Sequence, residues 1–165
     1  VPEDRKRQGA LLEIDIRGNI SMAILERISR FFTVNKKEEQ RIADFYKDAI
    51  RIKTPTLEQK IKNLSGGNQQ KVVFGRWLQF LPKVLLLNDP AKGIDIQAKD
   101  TLYKLVHELA DQGTAVVLYA SSNEELICNC DRVLIMFEGE VAEEISHDDL
   151  SDENLVRSSL RVEVV

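Results

Sequence analysis

The sequence predicts an α/β fold with a mostly parallel sheet, an inserted helical region and a C-terminal β-hairpin. Two short apolar runs, residues 84–87 and 115–119, lack the alternation of half-exposed strands, so we expect parallel strands buried on both faces. Between them, residues 97–111 follow a helical apolar pattern, and Gly113 stands where a C-terminal cap belongs. A strand, a helix and a strand in this order are typical of a parallel sheet with a crossover helix.

Two amphipathic helices are predicted between residues 19 and 56. Asn19 is the expected N-cap of the first helix, and Thr54-Pro55 ends the second. The apolar positions at helical spacing are Ile20, Ile24, Ile28 and Phe31 in the first helix and Ile42, Phe45, Tyr46 and Ala49 in the second. This region is therefore predicted to be a small helical unit that precedes the strands.

The remaining elements are predicted from turn residues and apolar spacing. A loop at residues 64–67 leads into a helix over 68–80, which Pro82 ends. After the second strand we expect a helix over 124–130 and a second helix over about 148–157. Between these two helices, residues 133–136 and 140–142 are expected to pair as a hairpin through Glu138-Gly139.

Composition and charge argue against several classes of protein. With 43% hydrophobic and 30% charged residues, the chain can form a packed core. A net charge of −4 without a basic stripe disfavours nucleic acid, and Arg5-Lys6-Arg7 is interpreted as a solvated turn. Cys128 and Cys130 are too close for an unstrained disulfide and too few for a metal cage. No apolar run approaches the roughly 20 residues of a membrane span, so any membrane contact would require a partner.

One segment has the properties of a phosphate-binding turn. Ser65-Gly66-Gly67 opens a predicted helix, whose N-terminus presents unpaired N–H groups and a partial positive charge. Alone, this pattern is weak evidence. It is followed by Asn88-Asp89-Pro90 at the end of an apolar strand, then by Gly93-Ile94-Asp95, and then by Ser121 after the next strand.

This order resembles the ABC ATPases. Residues 64–71 resemble their signature loop, residues 84–89 the Walker B strand, and residues 93–95 the D-loop. The resemblance runs from Val1 to about Glu144. The Asn68-to-Lys71 variant of the signature, the D-loop and the opening nine residues resemble the second of two fused ATPase domains in ribose-, galactose- and xylose-type importers.

The resemblance implies a partial P-loop ABC ATPase domain with four regions. Residues 1–17 would be the Q-loop region, 18–66 the helical subdomain up to the signature loop, 67–145 the rest of the catalytic core, and 146–165 a C-terminal tail. The P-loop itself, G-x-x-x-x-G-K-[ST], is absent, and the family places it upstream of Val1. Since the chain does not begin with Met, we expect it to be a piece of a longer protein.

The resemblance also implies which residues meet ATP and Mg²⁺. Ser65, Gly66, Gly67, Asn68 and Asp95 would face nucleotide. Four further positions depart from the hydrolytic pattern: Glu3 at the Q-loop Gln, Asn88 at the Walker B Asp that holds Mg²⁺, Asp89 at the catalytic Glu, and Ser121 at the switch His. At the Q-loop position, the Glu3 carboxylate is still expected to meet Mg²⁺ or its water, close to the nucleotide. In the alternative register Asp89 would be the Walker B Asp, but Pro90 would then occupy the acid position, so we keep the first register.

The implied function is energising sugar import. We expect a chain that lends its signature loop to ATP held by a second ABC domain and that does not itself hydrolyse ATP, because metal, water and switch groups are weakened together. Its helical subdomain would meet a membrane permease at the inner face of the plasma membrane. Without its P-loop, the chain is expected to bind ATP very weakly and to self-associate. The alternatives are a regulatory ABC domain that only clamps ATP, and a soluble ABC protein of translation or DNA repair.

Overall fold

The computed structural model describes residues 1–80 and 82–162, which belong to two compact units, Val1–Val117 and Leu118–Val165. No helix in the described part of the chain is both long and apolar enough to cross a membrane. The helices are α1 (Ile16–Ser21), α2 (Leu25–Ile28), α3 (Lys36–Ala49), α4 (Gly66–Leu78), α5 (Ile96–Asp111), α6 (Asn123–Asn129) and α7 (Asp152–Val162). The strands are β1 (Ser29–Arg30), β2 (Thr33–Val34), β3 (Val84–Asn88), β4 (Ala115–Tyr119), β5 (Arg132–Phe137) and β6 (Glu140–Ser146).

The N-cap of α1 is Asp15, so the prediction of Asn19 at this position was wrong. The carboxylate of Asp15 accepts a bond from the Gly18 amide at 2.7 Å, and the helix begins three residues ahead of Asn19. Asn19 is fully buried, and its amide side chain both accepts from and donates to the Leu11 backbone at 2.9 Å. Its polar side chain therefore fastens a loop to α1 instead of starting the helix.

The first predicted helix does not continue to Phe31. After α1 the chain forms a 3₁₀ turn, the short α2 and the β1–β2 hairpin, with Phe31 in the two-residue turn. This reversal returns Val34 to a buried cluster of Ile24, Ile28 and Ile42. Packing of Val34 against this cluster requires the chain to turn after residue 30, so tertiary contacts end the helix earlier than the local apolar spacing predicts.

The helix α3 confirms the second amphipathic prediction. Asn35 caps it by accepting a bond from the Glu38 amide at 3.2 Å, and Ile42 and Ala43 face the core. Phe45, expected on the apolar face, is 62% exposed. The buried face of α3 is thus narrower than the apolar spacing of its sequence predicts.

The helix α4 forms the centre of the first unit. Val72, Val73 and Phe74 are completely buried in it, which removes their apolar surface from water. Further along α4, the Arg76 guanidinium donates to the Gly9 carbonyl at 2.6 Å and to the Asn19 carbonyl at 2.9 Å. This contact ties α1 and a short π-helical turn, Arg5–Gly9, to α4.

The strand β3 lies beside β4, with α5 between them in sequence as predicted. Val1 also pairs with β3: its amine donates to the Leu86 carbonyl at 2.7 Å, and its carbonyl accepts from the Asn88 amide at 3.0 Å. These two bonds follow the slanted pattern of a parallel pair. The expected burial on both faces was wrong, because Val84 is 56% and Leu86 62% exposed while Leu85 and Leu87 are buried. The outer face of β3 has no covering layer within the described residues.

The second unit contains the predicted C-terminal hairpin. β5 and β6 pair antiparallel across Glu138 and Gly139, whose φ angles of 47° and 87° both lie in the left-handed region that such turns require. Val133, Ile145 and Leu155 form its buried cluster, which brings α7 onto the hairpin. α7 begins at Asp152, later than predicted, because residues 147–149 form a 3₁₀ turn first.

Candidate functional site

The N-terminus of α4 is capped by Ser65. Its hydroxyl oxygen accepts from the Asn68 amide at 3.4 Å and from the Asn68 side-chain nitrogen at 3.0 Å. The Asn68 side-chain oxygen in turn accepts from the Lys53 amide at 2.8 Å. Since the amides of a first helical turn have no acceptor within the helix, this end of α4 can bind an anion.

The N-terminus of α5 lies against the same turn. Asp95 caps α5 by accepting from the Ala98 amide at 2.9 Å. A Cβ added at Gly67 would lie 2.6 Å from the Cβ of Ala98 and 3.5 Å from Asp95 Oδ2. One added at Gly66 would lie 3.1 Å from the Gly93 carbonyl oxygen. Gly67 is therefore required, because the two helix ends approach each other there more closely than a side chain permits, and Gly66 allows a tight approach of the loop before α5.

Arg5 joins these two helix ends, which the sequence analysis missed. Its guanidinium donates to Gln69 Oε1 at 3.4 Å and to the carbonyls of Lys92 at 3.0 Å and Gly93 at 3.5 Å. Of the basic cluster interpreted as a solvated turn, Lys6 and Arg7 are exposed as expected, but Arg5 is half-buried. Its partners are 64 to 88 residues away, so no local pattern could have identified it.

Glu3 forms an ion pair with Lys92. The predicted role of Glu3 as a metal ligand therefore meets a competing interaction, because its carboxylate is already neutralised by a lysine ammonium. The same pair fastens the opening residues to the loop between β3 and α5. Glu3 and Arg5 thus both contact this loop.

Asn88 and Asp89 end β3 in different environments. Asn88 is exposed, whereas Asp89 is only 4% exposed and has a φ of 46°, in the left-handed region that Asn and Asp tolerate best. The Asp89 carbonyl accepts from the Lys92 amide at 3.2 Å, which starts the turn leading to Gly93. The structure thus places both residues at the carboxyl end of β3, in the same unit as the α4 and α5 termini.

Ser121 belongs to the second unit, two residues after β4. It is exposed. Its grouping with Asp89 in one site stays a prediction.

Lys71, the last residue of the signature segment, lies one turn inside α4. Burial, together with the nearby cations Lys53 and Arg51, lowers the pKa of its ammonium group. The ammonium donates to the Arg51 carbonyl at 3.2 Å. It therefore supports the end of α3 and is not directed to the helix terminus.

No protein-family model matches the chain. Individual relatives match it over almost all of its length. It is 41% identical to the ribose import ATP-binding protein RbsA 1 of Rhizobium etli, covering 98% of this chain and 32% of that protein. It is 43% identical to the xylose import ATP-binding protein XylG of Moorella thermoacetica, covering 94% and 31%. It is 40% identical to the L-arabinose transport ATP-binding protein AraG of Geobacillus stearothermophilus, covering 95% and 31%.

The chain belongs to the ABC ATPase family. It spans about a third of the length of the curated relatives it matches. Solved structures confirm the fold: a metal-chelate type ABC transporter in an inward-facing conformation aligns with a TM-score of 0.72 over 90% of this chain and 59% of that one, at 19% identity. The ATP-binding cassette MJ1267 in its ADP conformation aligns with a TM-score of 0.69 over 91% and 64%, also at 19% identity.

ABC ATPases as a family bind ATP with Mg²⁺. In this ABC ATPase chain, the paired α4 and α5 ends fit a phosphate group. The residues at the predicted metal positions fit Mg²⁺ poorly, because Asn88 offers a neutral amide and Glu3 is paired with Lys92. Within residues 1–80 and 82–162, no three His, Cys, Asp or Glu side chains cluster closely enough to hold a metal ion.

Proposed function

We propose that this chain is part of the ATP-binding subunit that energises sugar import by an ABC transporter. Three relatives at about 40% identity, named for ribose, xylose and L-arabinose transport, support this assignment. Within that subunit, the chain supplies the N-terminus of α4 to ATP held by a second ABC ATP-binding domain. The site that contains its own Asn88 and Asp89 does not hydrolyse ATP.

The observation that carries this proposal is the close pairing of the Ser65 turn with the Asp95 turn. Two helix N-termini converge there, and the glycines at positions 66 and 67 leave no Cβ between them. The α4 end, capped by the neutral Ser65 hydroxyl, contributes partial positive charge that favours an anionic phosphate, whereas the Asp95 carboxylate already caps the α5 end. The α4 end can therefore contact ATP that is bound to another domain, without any contribution from Asn88 or Asp89.

The residues at the positions expected to perform hydrolysis support the proposal that the chain's own site does not hydrolyse ATP. Phosphoryl transfer depends on correctly placed charge rather than on covalent help from the protein. Asn88 lacks a negative charge, and the carboxyl group of Asp89 is one methylene shorter than glutamate and buried. A displacement of about 1 Å can cost about a hundredfold in rate.

The helical subdomain, residues 18–66, docks on the membrane permease in this proposal. The protein then works at the cytoplasmic face of the plasma membrane without a membrane span of its own in the described residues. Co-purification of the permease with the full-length ATPase, and its loss after disruption of the α3 surface, would test this contact.

The signature-loop role is tested by Ser65→Arg in the full-length protein that contains this chain. A long side chain at the cap blocks the shared helix ends, so we expect ATPase activity and sugar transport to fall at least about 100-fold, as when a key phosphate-facing donor is lost. Ser65→Thr keeps the capping hydroxyl and serves as the matched control. An active Ser65→Arg protein would show that α4 faces no nucleotide.

The non-hydrolytic role is tested by Asp89→Asn. Asparagine is nearly isosteric and accepts the positive φ at this position, so the protein should fold and retain almost all of its ATPase activity. The thermal midpoint of the variant provides the folding control. Complete loss of ATPase with an unchanged midpoint would make Asp89 the catalytic acid and contradict the proposal.

A further inference from the structure

Arg5 contacts two separate parts of the chain at once, through three acceptors. Its guanidinium bonds Gln69 in the first turns of α4 and two successive carbonyls, those of Lys92 and Gly93, in the loop before α5. No carboxylate partner of Arg5 occurs among the described residues. Carbonyl oxygens and one amide oxygen therefore satisfy this cation, and each of them belongs to one of the two converging helix ends.

The guanidinium lies directly over the first turn of α4. A Cβ added at Gly66 would lie 2.6 Å from Arg5 Nη2, and both Nη2 and that Cβ position are within 3.5 Å of the Gly93 carbonyl oxygen. A cation at a helix N-terminus does not stabilise that helix, because it meets the positive end of the dipole. The bonds that account for the placement of Arg5 are those to the neighbouring loop.

We propose that Arg5 is a positioning residue that holds the Gly93–Asp95 loop against the first turn of α4, so that both helix ends face one nucleotide. This inference rests on the proposed function, since it describes how the same nucleotide-facing surface is built. The Glu3–Lys92 ion pair is a second contact between the opening residues and the same loop. Besides these bonds, the loop and the first turn of α4 approach each other closely at Gly66, where an added Cβ would lie 3.1 Å from the Gly93 carbonyl oxygen.

The guanidinium fork is essential to this role. Its separate N–H groups reach acceptors on two elements in fixed directions, whereas a lysine ammonium is a single point charge on a flexible stem. Arg5→Lys therefore keeps the positive charge but loses the directed hydrogen bonds to both elements. Arg5→Gln loses both.

The test measures ATPase kinetics, nucleotide binding and amide exchange in the full-length protein. For both Arg5→Lys and Arg5→Gln we expect kcat to fall at least tenfold while the Kd for a fluorescent ATP analogue stays within twofold, because the partner domain holds the nucleotide. Amide exchange in the peptide around residues 92–95 should accelerate at least tenfold. The thermal midpoint should be unchanged. Arg7→Gln is the matched control, since the Arg7 side chain is 88% exposed and pairs only with nearby Asp4 among the described residues.

Two results would overturn the inference. A wild-type kcat in Arg5→Gln would show that Arg5 has no role in activity. A wild-type kcat in Arg5→Lys would show that the positive charge alone is sufficient and that the guanidinium does not position the loop. If Arg5→Gln does not fold, the Arg5→Lys variant decides alone. The Ser65→Arg variant separates the two proposals. If Ser65→Arg stays active, the proposed function is wrong. If Ser65→Arg is inactive while Arg5→Lys is active, only the proposed role of Arg5 is wrong.

Discussion

At the scale of single residues, the turn between β1 and β2 places two phenylalanines in an unfavourable conformation. Phe31 and Phe32 have φ angles of 48° and 63° and are 84% and 108% exposed. Bulky residues rarely adopt this left-handed region, and two-residue hairpin turns favour Asn and Gly there. The Arg30 guanidinium carbon lies over the Phe31 ring, 5.4 Å from the centre of that ring, in a cation–π contact.

Phe32→Gly is therefore expected to stabilise the protein. Glycine adopts a positive φ without a Cβ clash, so the free energy of unfolding should rise by about 1 kcal/mol. Urea unfolding followed by circular dichroism measures it. Phe32→Ala is the control, because it removes the same exposed ring but keeps the Cβ; an equal gain from both variants would show that backbone strain is not the cause.

The residues of the candidate site differ in how far the sequence could predict them. Ser65, Gly66 and Gly67 were predicted from their position before a helix, and Asp95 from the resemblance to the D-loop. The structure brings all four together, and their contact with nucleotide stays a prediction. Arg5 was missed because its partners are remote in sequence and neutral. Burial of Asp89 and the pairing of Glu3 likewise depend on the tertiary fold.

At the scale of elements, α4 and α5 pack through a contact of small residues. A Cβ at Gly67 would approach the Ala98 Cβ to 2.6 Å, a separation that side chains essentially never show. The other neighbour on α5 is Asp95 Oδ2 at 3.5 Å, an ordinary contact. The clash would thus arise almost entirely from one methyl group.

Gly67→Ala is expected to push the helix ends apart and to be rescued by a change on α5. Overpacking of this kind costs about 1–3 kcal/mol, and ATPase activity of the full-length protein should fall with it. Ala98→Gly alone costs about 1 kcal/mol of helix propensity. The double variant should be more stable than the sum of the single changes by at least about 0.5 kcal/mol in a double-mutant cycle. Strict additivity would contradict the packing contact.

Element types were predicted better than their ends. The helices α3, α4 and α5 and the β5–β6 hairpin follow patterns that are complete within one segment. The first helix was predicted too long because Val34, beyond the turn, completes the cluster of Ile24, Ile28 and Ile42. Local spacing cannot reveal a residue that returns from a later element.

At the scale of the whole molecule, the first unit exposes one apolar face of its sheet. The exposed side chains are Val84, Leu86 and Val117, at 56–62% exposure, with Phe80 at 51% close by in sequence. Apolar strand surfaces of this kind tend to associate. The apolar character of residues 84–87 and 115–119 predicted the two strands correctly, but the predicted burial on both faces was wrong, because local sequence does not show which face the described residues leave uncovered.

A solution of this chain is therefore expected to self-associate through the β3 face. Val84→Thr combined with Leu86→Thr keeps β-branched or strand-compatible side chains while replacing two exposed apolar groups, so association should weaken without loss of fold. Sedimentation velocity over a range of concentrations measures the effect, with circular dichroism as the folding check. Val141→Thr, at a 54% exposed position on β6, is the matched control and should leave association unchanged. A chain that stays monomeric at every concentration, or a control variant that disperses it equally, would show that the β3 face does not mediate association.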